Sequence, residues 1–318
     1  MANVTTAGAA PIDLSGNPRR HRRERRYSAL FLLAGLSSLL ISIAIIVSLV
    51  GDSITFLTNI KIESLWTSPH RWAPRTGRFD LLTVFMGSLL VTAVAMVVAI
   101  PLGLGGAFYL AEYARPRVRR VLKPVLEVLA GIPSIVIGFF AIAWIGPNIV
   151  QNLWANADAF SLAAAGIGVG FLVTPLVASV SEDAMRAVPN SLREASYGMG
   201  AKKATTVLRV VFPAAISGIV AAIILAAARA IGETMVVLLA AGAFAEADYT
   251  TKVQDVGLTV TAAMASLATG TDQVAGGGGS GAGQAFNSLF FLGLLLFGVT
   301  LVLNLVGDFF VRRIREHY

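Results

Sequence analysis

Six long apolar stretches separated by charged connectors set the pattern of the chain: Ala29 to Val50, Leu81 to Ala111, Val125 to Ile149, Ala159 to Ser181, Val211 to Gly242 and Phe286 to Val311. As helices rising about 1.5 Å per residue, all six are long enough to cross a hydrocarbon core of about 30 Å. The pattern predicts an all-α, polytopic membrane protein with six transmembrane helices. The first stretch is charge-free, follows a basic tail, and at 22 residues exceeds the apolar core of a secretory signal, so it reads as a retained span. Pro101, Pro133 and Pro175 fall inside the expected spans and predict kinks. Gly166, Gly168 and Gly170, and the run Ala226, Ala227, Ala228 and Ala230, predict faces where helices approach closely.

Composition agrees: 56% hydrophobic and only 14% charged residues exclude an ordinary soluble domain. A net charge of +7 would suit nucleic acid only if the cations formed a face, whereas here they flank apolar stretches. Nineteen of the 25 Lys and Arg residues lie in the tail before the first span, in the connectors Arg115 to Lys123 and Arg186 to Arg209, and after the last span. This excess predicts a cytoplasmic basic tail over 1–28, a membrane-embedded region over 29–313 and a cytoplasmic end over 314–318, with both termini cytoplasmic. Membrane lipid, not nucleic acid, is the expected surroundings. There is no cysteine, and His21, His70 and His317 are scattered, so no metal or cofactor is expected in this chain.

Two connectors stand out. The expected outer loop 243–285 holds Gly276 to Gly279 and Ser280, a run that reads as a flexible linker. The expected cytoplasmic segment 182–212 mixes charges with Pro189, Gly198 and Gly200 and predicts one or two short helices outside the membrane. Between Phe212 and Ala245 the only charges are Arg229 and Glu233. A charge near the bilayer centre costs about 2.5–3.5 kcal/mol on insertion scales, so such residues face a partner, a cavity or a path. Their i to i+4 spacing predicts one shared helix face. The pair reads as a site on an anion's path, with a salt bridge that only holds helices together as the alternative.

In the segment 182–212, the order Glu194, Ala195, Ser196, three residues, Gly200, nine residues, Val210, Val211, Phe212, Pro213 resembles the signature of ABC importer permeases: Glu-Ala-Ala, three residues, Gly, nine residues, Ile, any residue, Leu-Pro. Ser196 and Phe212 depart from its commonest form. The resemblance implies a type I importer permease fold with a coupling helix that docks on a cytoplasmic ATPase. Small Ala195 and Ser196 suit close docking, Gly200 a sharp turn, and Pro213 the first turn of the next helix. Further segments, Arg71-Trp72-Ala73-Pro74, Gly87-Ser88-Leu89-Leu90, Pro101-Leu102-Gly103, Tyr109-Leu110-Ala111-Glu112-Tyr113, Gly131-Ile132-Pro133-Ser134 and Arg229-Ala230-Ile231-Gly232-Glu233-Thr234-Met235, are similar to phosphate-specific ABC permeases of the PstC kind. The sister PstA kind usually follows Gly-Glu-Thr with Ala-Pro, where this chain has Met235-Val236.

That resemblance implies a bacterial or archaeal inner-membrane protein that imports inorganic phosphate. Its partners would be a sister permease, two ATPase subunits carrying ATP and magnesium, and an extracytoplasmic phosphate-binding protein. Arg229 would offer planar, charge-assisted donors to phosphate and Glu233 would hold that guanidinium between ions, with Thr234 and Ser134 as further polar contacts. A PstA-type subunit, a permease for sulfate or molybdate, and an ATP-independent carrier are the rival readings. The chain itself is not expected to hydrolyse ATP: Gly198-Met199-Gly200-Ala201-Lys202-Lys203 lacks the spacing of a phosphate-binding loop.

Overall fold

Lipid offers no partner to backbone N–H and C=O groups, so an apolar stretch crossing it must satisfy them within a helix. The computed structural model describes residues 18–66, 70–242, 246–269 and 282–315, and is dominated by such helices. In chain order they are α1 (Pro18–Asn59), α2 (Leu81–Tyr113), α3 (Pro116–Ala130), α4 (Ser134–Leu153), α5 (Leu162–Arg186), α6 (Asn190–Gly198), α7 (Lys203–Ile231), α8 (Met235–Ala240), α9 (Val260–Thr269) and α10 (Ala282–Arg315). Three short strands, β1 (Arg71–Ala73), β2 (Arg78–Phe79) and β3 (Ala247–Asp248), complete the fold. Among the described residues, six helices are long and apolar enough to cross a membrane, within α1, α2, α4, α5, α7 and α10.

The chain divides into two compact units, Met1–Ser48 and Leu49–Tyr318. The described part of the first is helical from Pro18 onward. There the Ser37 and Ser42 hydroxyls donate to the Ala34 and Ser38 carbonyls at 2.9 and 3.0 Å, so neither is left bare among apolar neighbours.

In the second unit, α5 packs along α2 because small residues let the two backbones approach. A Cβ on Gly166 would stand 2.6 Å from Val94 Cβ, one on Gly170 2.8 Å from Val98 Cβ, and one on Gly103 2.6 Å from Val177 Cβ. Glycine is therefore required on both helices. Gly166→Val is expected to overpack this seam and destabilise the protein by about 1–3 kcal/mol. Thermal unfolding in detergent measures it, and an unchanged midpoint would disprove the tight seam.

Next to the start of α2, the three strands form an antiparallel sheet in the order β2-β1-β3, pairing Trp72 with Phe79 and with Ala247. Buried Trp72 and Phe79 meet edge to face at 5.9 Å, and Phe56 meets Phe79 the same way at 5.0 Å. Arg71 holds Glu246 at 3.0 Å and Asp248 at 3.6 Å. The first part of the segment expected as a flexible outer loop is thus ordered by β3 and by α9, half of whose residues are buried. Gly276 to Gly279 lie outside the described residues.

Helix boundaries depart from the hydropathy pattern in three places. The stretch Val125 to Ile149 is two helices: α3 ends at Ala130, and Pro133 precedes α4 instead of kinking a span. The stretch Val211 to Gly242 is also two, since α7 ends at Ile231 and α8 begins at Met235. Pro213 follows a π-helical turn, Val207–Val211, whose wider winding absorbs the hydrogen bond that proline cannot make. It opens the regular α-helical part, but the helix as a whole starts at Lys203. Only residues 187–202 therefore separate α5 from α7.

Candidate functional site

Arg229 sits in the last turn of α7, while Glu233 stands in the break between α7 and α8. The expectation of one shared helix face fails, because the helix stops between them. Glycine at 232 ends α7, where the Glu233 N–H bonds the Ala230 carbonyl at 3.2 Å. The Glu233 carboxylate turns forward and accepts from the N–H groups of Met235 and Val236 at 3.2 and 3.4 Å. It satisfies two donors that a new helix start leaves without partners.

Each charge complements its own helix end: Arg229 the partly negative C-terminus of α7, Glu233 the partly positive N-terminus of α8. They do not neutralise each other. Among the described residues, the exposed Arg229 guanidinium has no hydrogen-bond or ion-pair partner. The Thr234 hydroxyl donates to the Gly232 carbonyl at 3.3 Å, within the break.

The break is braced from the expected outer loop 243–285, ahead of its glycine run. Thr261 Oγ1 donates to the Glu233 carbonyl at 2.7 Å, and Thr259 and Thr261 hydroxyls lie 3.1 Å apart at the start of α9. That start is itself seated by Ser88, whose hydroxyl accepts from the Val260 N–H at 3.0 Å. Beside it, α8 packs on α4, with Gly138 against Leu239 and the Met235 carbonyl. Ser134 opens α4, half-buried; among the described residues no hydrogen bond joins it to Arg229, Glu233 or Thr234.

The motif segment forms α6, a nine-residue helix with no buried residue. Glu194 and Ala195 are exposed, as are Leu192, Tyr197 and Met199, the last at 88%. Gly200 terminates α6 with φ +79°, a left-handed conformation that side chains with a Cβ rarely adopt, and its N–H bonds the Tyr197 carbonyl at 2.9 Å. Ser196 and Thr206 share a hydroxyl–hydroxyl bond of 2.8 Å, tying α6 to the first turn of α7. The first half of the motif, Glu194 to Gly200, therefore gathers on one small exposed element, while Val210, Val211 and Phe212 lie within α7, with Val211 buried.

A charge cluster went unread in the sequence because its cations served only as orientation markers. Glu182 Oε1 accepts from Arg119 Nε at 2.8 Å, and its Oε2 from Lys123 Nζ at 2.9 Å. Arg186 Nε adds a third cation at 3.8 Å, and the Glu182 side chain is 0% exposed. Burial pulls the Lys123 ammonium down, but hydrogen bonds and attraction from Asp183 and Glu182 outweigh it, leaving its pKa above the ordinary lysine value. The inner face of α3 is therefore the charged one. Val118, Val121, Val125 and Val128, at helical spacing, are exposed instead.

Residues 99–316 match the family described as binding-protein-dependent transport system inner membrane component. The chain is 33% identical over 232 residues to the probable ABC transporter permease protein YqgH of Bacillus subtilis, covering 72% of this chain and 75% of that one. It is 29% identical to the phosphate transport system permease protein PstC of Mesorhizobium japonicum, covering 76% of each chain. With the phosphate transport system permease protein PstA 1 of Mycobacterium tuberculosis CDC 1551 it shares 43% identity, over only 49% of each chain. Among solved structures, the fold is similar to a chain of a bacterial ABC transporter that imports the polysaccharide alginate, with a TM-score of 0.62 at 13% identity, covering 93% of this chain and 99% of that one. The MetNI methionine ABC transporter gives 0.51 at 20% identity, covering 72% and 93%. With six spans, a short exposed helix carrying the motif, and a family match over more than half its length, this chain belongs to the binding-protein-dependent transport system inner membrane components, the non-catalytic membrane-spanning permease subunits of ABC importers.

Proposed function

We propose that this chain is the PstC-kind permease subunit of an ATP-driven importer of inorganic phosphate, forming half of the path through the membrane. The observation that carries the reading is a guanidinium without a partner at a break in a membrane helix. Discontinuous helices in transporters bind ions near the bilayer midplane. Arg229 offers several donors in one plane, which match phosphate oxygens two at a time. Glu233, committed to the start of α8, leaves Arg229 free and keeps a negative charge nearby, so the anion is held weakly enough to leave. Thr234 and Ser134 supply further polar contacts along the path.

In this reading the termini and α6 are cytoplasmic, and the three-stranded sheet faces outward, where a phosphate-binding protein delivers its load. A sister permease completes the path. Two ATPase subunits, holding ATP and magnesium, dock on α6 at the exposed Glu194 and Ala195 and the half-buried Ser196, beside the turn that Gly200 closes. Radiolabelled phosphate uptake into vesicles holding the complete complex, with sulfate and molybdate as competitors, tests the substrate; competition by either at equal concentration would reassign it. The PstA kind is the second reading, favoured by the 43% identity over 158 residues.

Gly200→Val is expected to cost recovery of the ATPase in a pull-down with the permease, because a β-branched residue at φ +79° must rebuild the turn. Space is not the issue, since nothing lies within 4 Å of a Cβ placed there. Membrane insertion should be unchanged. Undiminished ATPase recovery with full uptake would show that this segment does not dock.

A further inference from the structure

A helix with no buried side chain is not held in place by apolar packing, so polar bonds must fix α6. Ser196, through Thr206, fixes one side of it to α7. The other side depends on Arg193. Its Nε and Nη2 donate to Glu112 Oε1 at 3.2 and 2.8 Å, Nη1 to the Val188 carbonyl at 2.6 Å, and Nη2 also to the Met185 carbonyl at 2.8 Å. Arg193 is 13% exposed and Glu112 6%, so the pair is shielded from water and little screened by salt.

One side chain thereby joins three elements. Glu112 belongs to the π-helical turn Tyr109–Tyr113 that ends α2, and Met185 lies in the last turn of α5, whose final carbonyls lack helix partners. The guanidinium suits this position because its five donors spread in a fixed plane, whereas an ammonium has three on a single flexible nitrogen. Glu194 and Ala195, the next residues along α6, stay exposed.

We propose that Arg193 is the positioning residue that carries displacement of α6 into α2 and α5, so that a push from outside the membrane reaches the spans instead of swinging a loosely tethered helix. The proposal rests on the reading of α6 as the docking segment. That reading is tested separately by ATPase recovery with Gly200→Val.

The decisive measurement is the number of ATP molecules hydrolysed per phosphate imported, in vesicles holding the complete complex. Arg193→Ala and Glu112→Gln should each raise that ratio severalfold with the ATPase still recovered in pull-down. Arg193→Lys, which keeps the charge but not the fork, should fall between Arg193→Ala and the parent. The double variant Arg193→Ala with Glu112→Gln should be no worse than Arg193→Ala alone, because both remove the same bond. A merely structural role would lower the amount of complex without moving the ratio. An unchanged ratio in Arg193→Ala and Glu112→Gln overturns the proposal, and so does loss of the ATPase from both pull-downs, which would make Arg193 part of docking or folding.

Discussion

Arg229→Ala is expected to cut phosphate uptake by the complete complex at least tenfold, with the complex still recoverable from the membrane. A hydrogen bond to a charged group contributes about 1.5–3 kcal/mol, which converts to roughly ten- to 150-fold in rate or affinity. Arg229→Lys should lie between, since it keeps the charge but loses the planar fork. The reciprocal exchange Arg229→Glu with Glu233→Arg is the sharper control. If the two charges served only each other, exchanging them would restore function. Each is instead matched to a helix end, so the exchange sets a carboxylate against the C-terminus of α7 and a guanidinium against the N-terminus of α8. The double variant is expected to be inactive and less stable. Full transport by it, or uptake by Arg229→Ala within twofold of the parent, would remove Arg229 from the path.

Glu182→Gln should produce the largest loss of stability, about 3 kcal/mol, because it removes the carboxylate around which Arg119, Lys123 and Arg186 gather. Arg119 and Lys123 keep about a quarter of their side-chain surface in contact with solvent, so rehydration offsets part of the loss and the lower end of the usual range applies. The expected signs are a lower unfolding temperature and faster tryptic cleavage within α3. Asp183→Asn is the control. That carboxylate is 61% exposed, and its pair with Lys123 should contribute under about 1 kcal/mol. Equal effects of the two substitutions would show that burial of Glu182 contributes nothing.

Much of this fold is legible in the residues. The six spans follow from length and apolarity, and the α2–α5 seam from Gly166 and Gly170, which face Val94 and Val98. The break at Gly232 was hidden because Ala230-Ile231 and Met235-Val236 are as apolar as any span, so hydropathy runs across it. A local signal existed. Gly232 followed by Glu233-Thr234 reads as a helix stop and a capped restart, but the i to i+4 spacing to Arg229 masked it. The end of α3 was absorbed into the next span for a similar reason, since Val125, Val128 and Leu129 look like the beginning of one. The role of Glu182 depends on Arg119 and Lys123, about sixty positions earlier, and such a meeting is fixed by packing alone.

The break at Gly232 also divides the machinery mechanically. The 29 residues of α7 make a stiff rod about 40 Å long, with the α6 attachment near one tip and Arg229 near the other. The Glu233 carboxylate is instead held from beyond the break, by its bonds to the start of α8, and its carbonyl is held by Thr261 of α9, while one backbone bond ties it back to Ala230. A tilt of the rod about the glycine joint would change the gap between guanidinium and carboxylate while straining at the joint only the bond from the Glu233 N–H to the Ala230 carbonyl. The two charges are thus mounted like the jaws of a caliper, one on the lever and one on the frame.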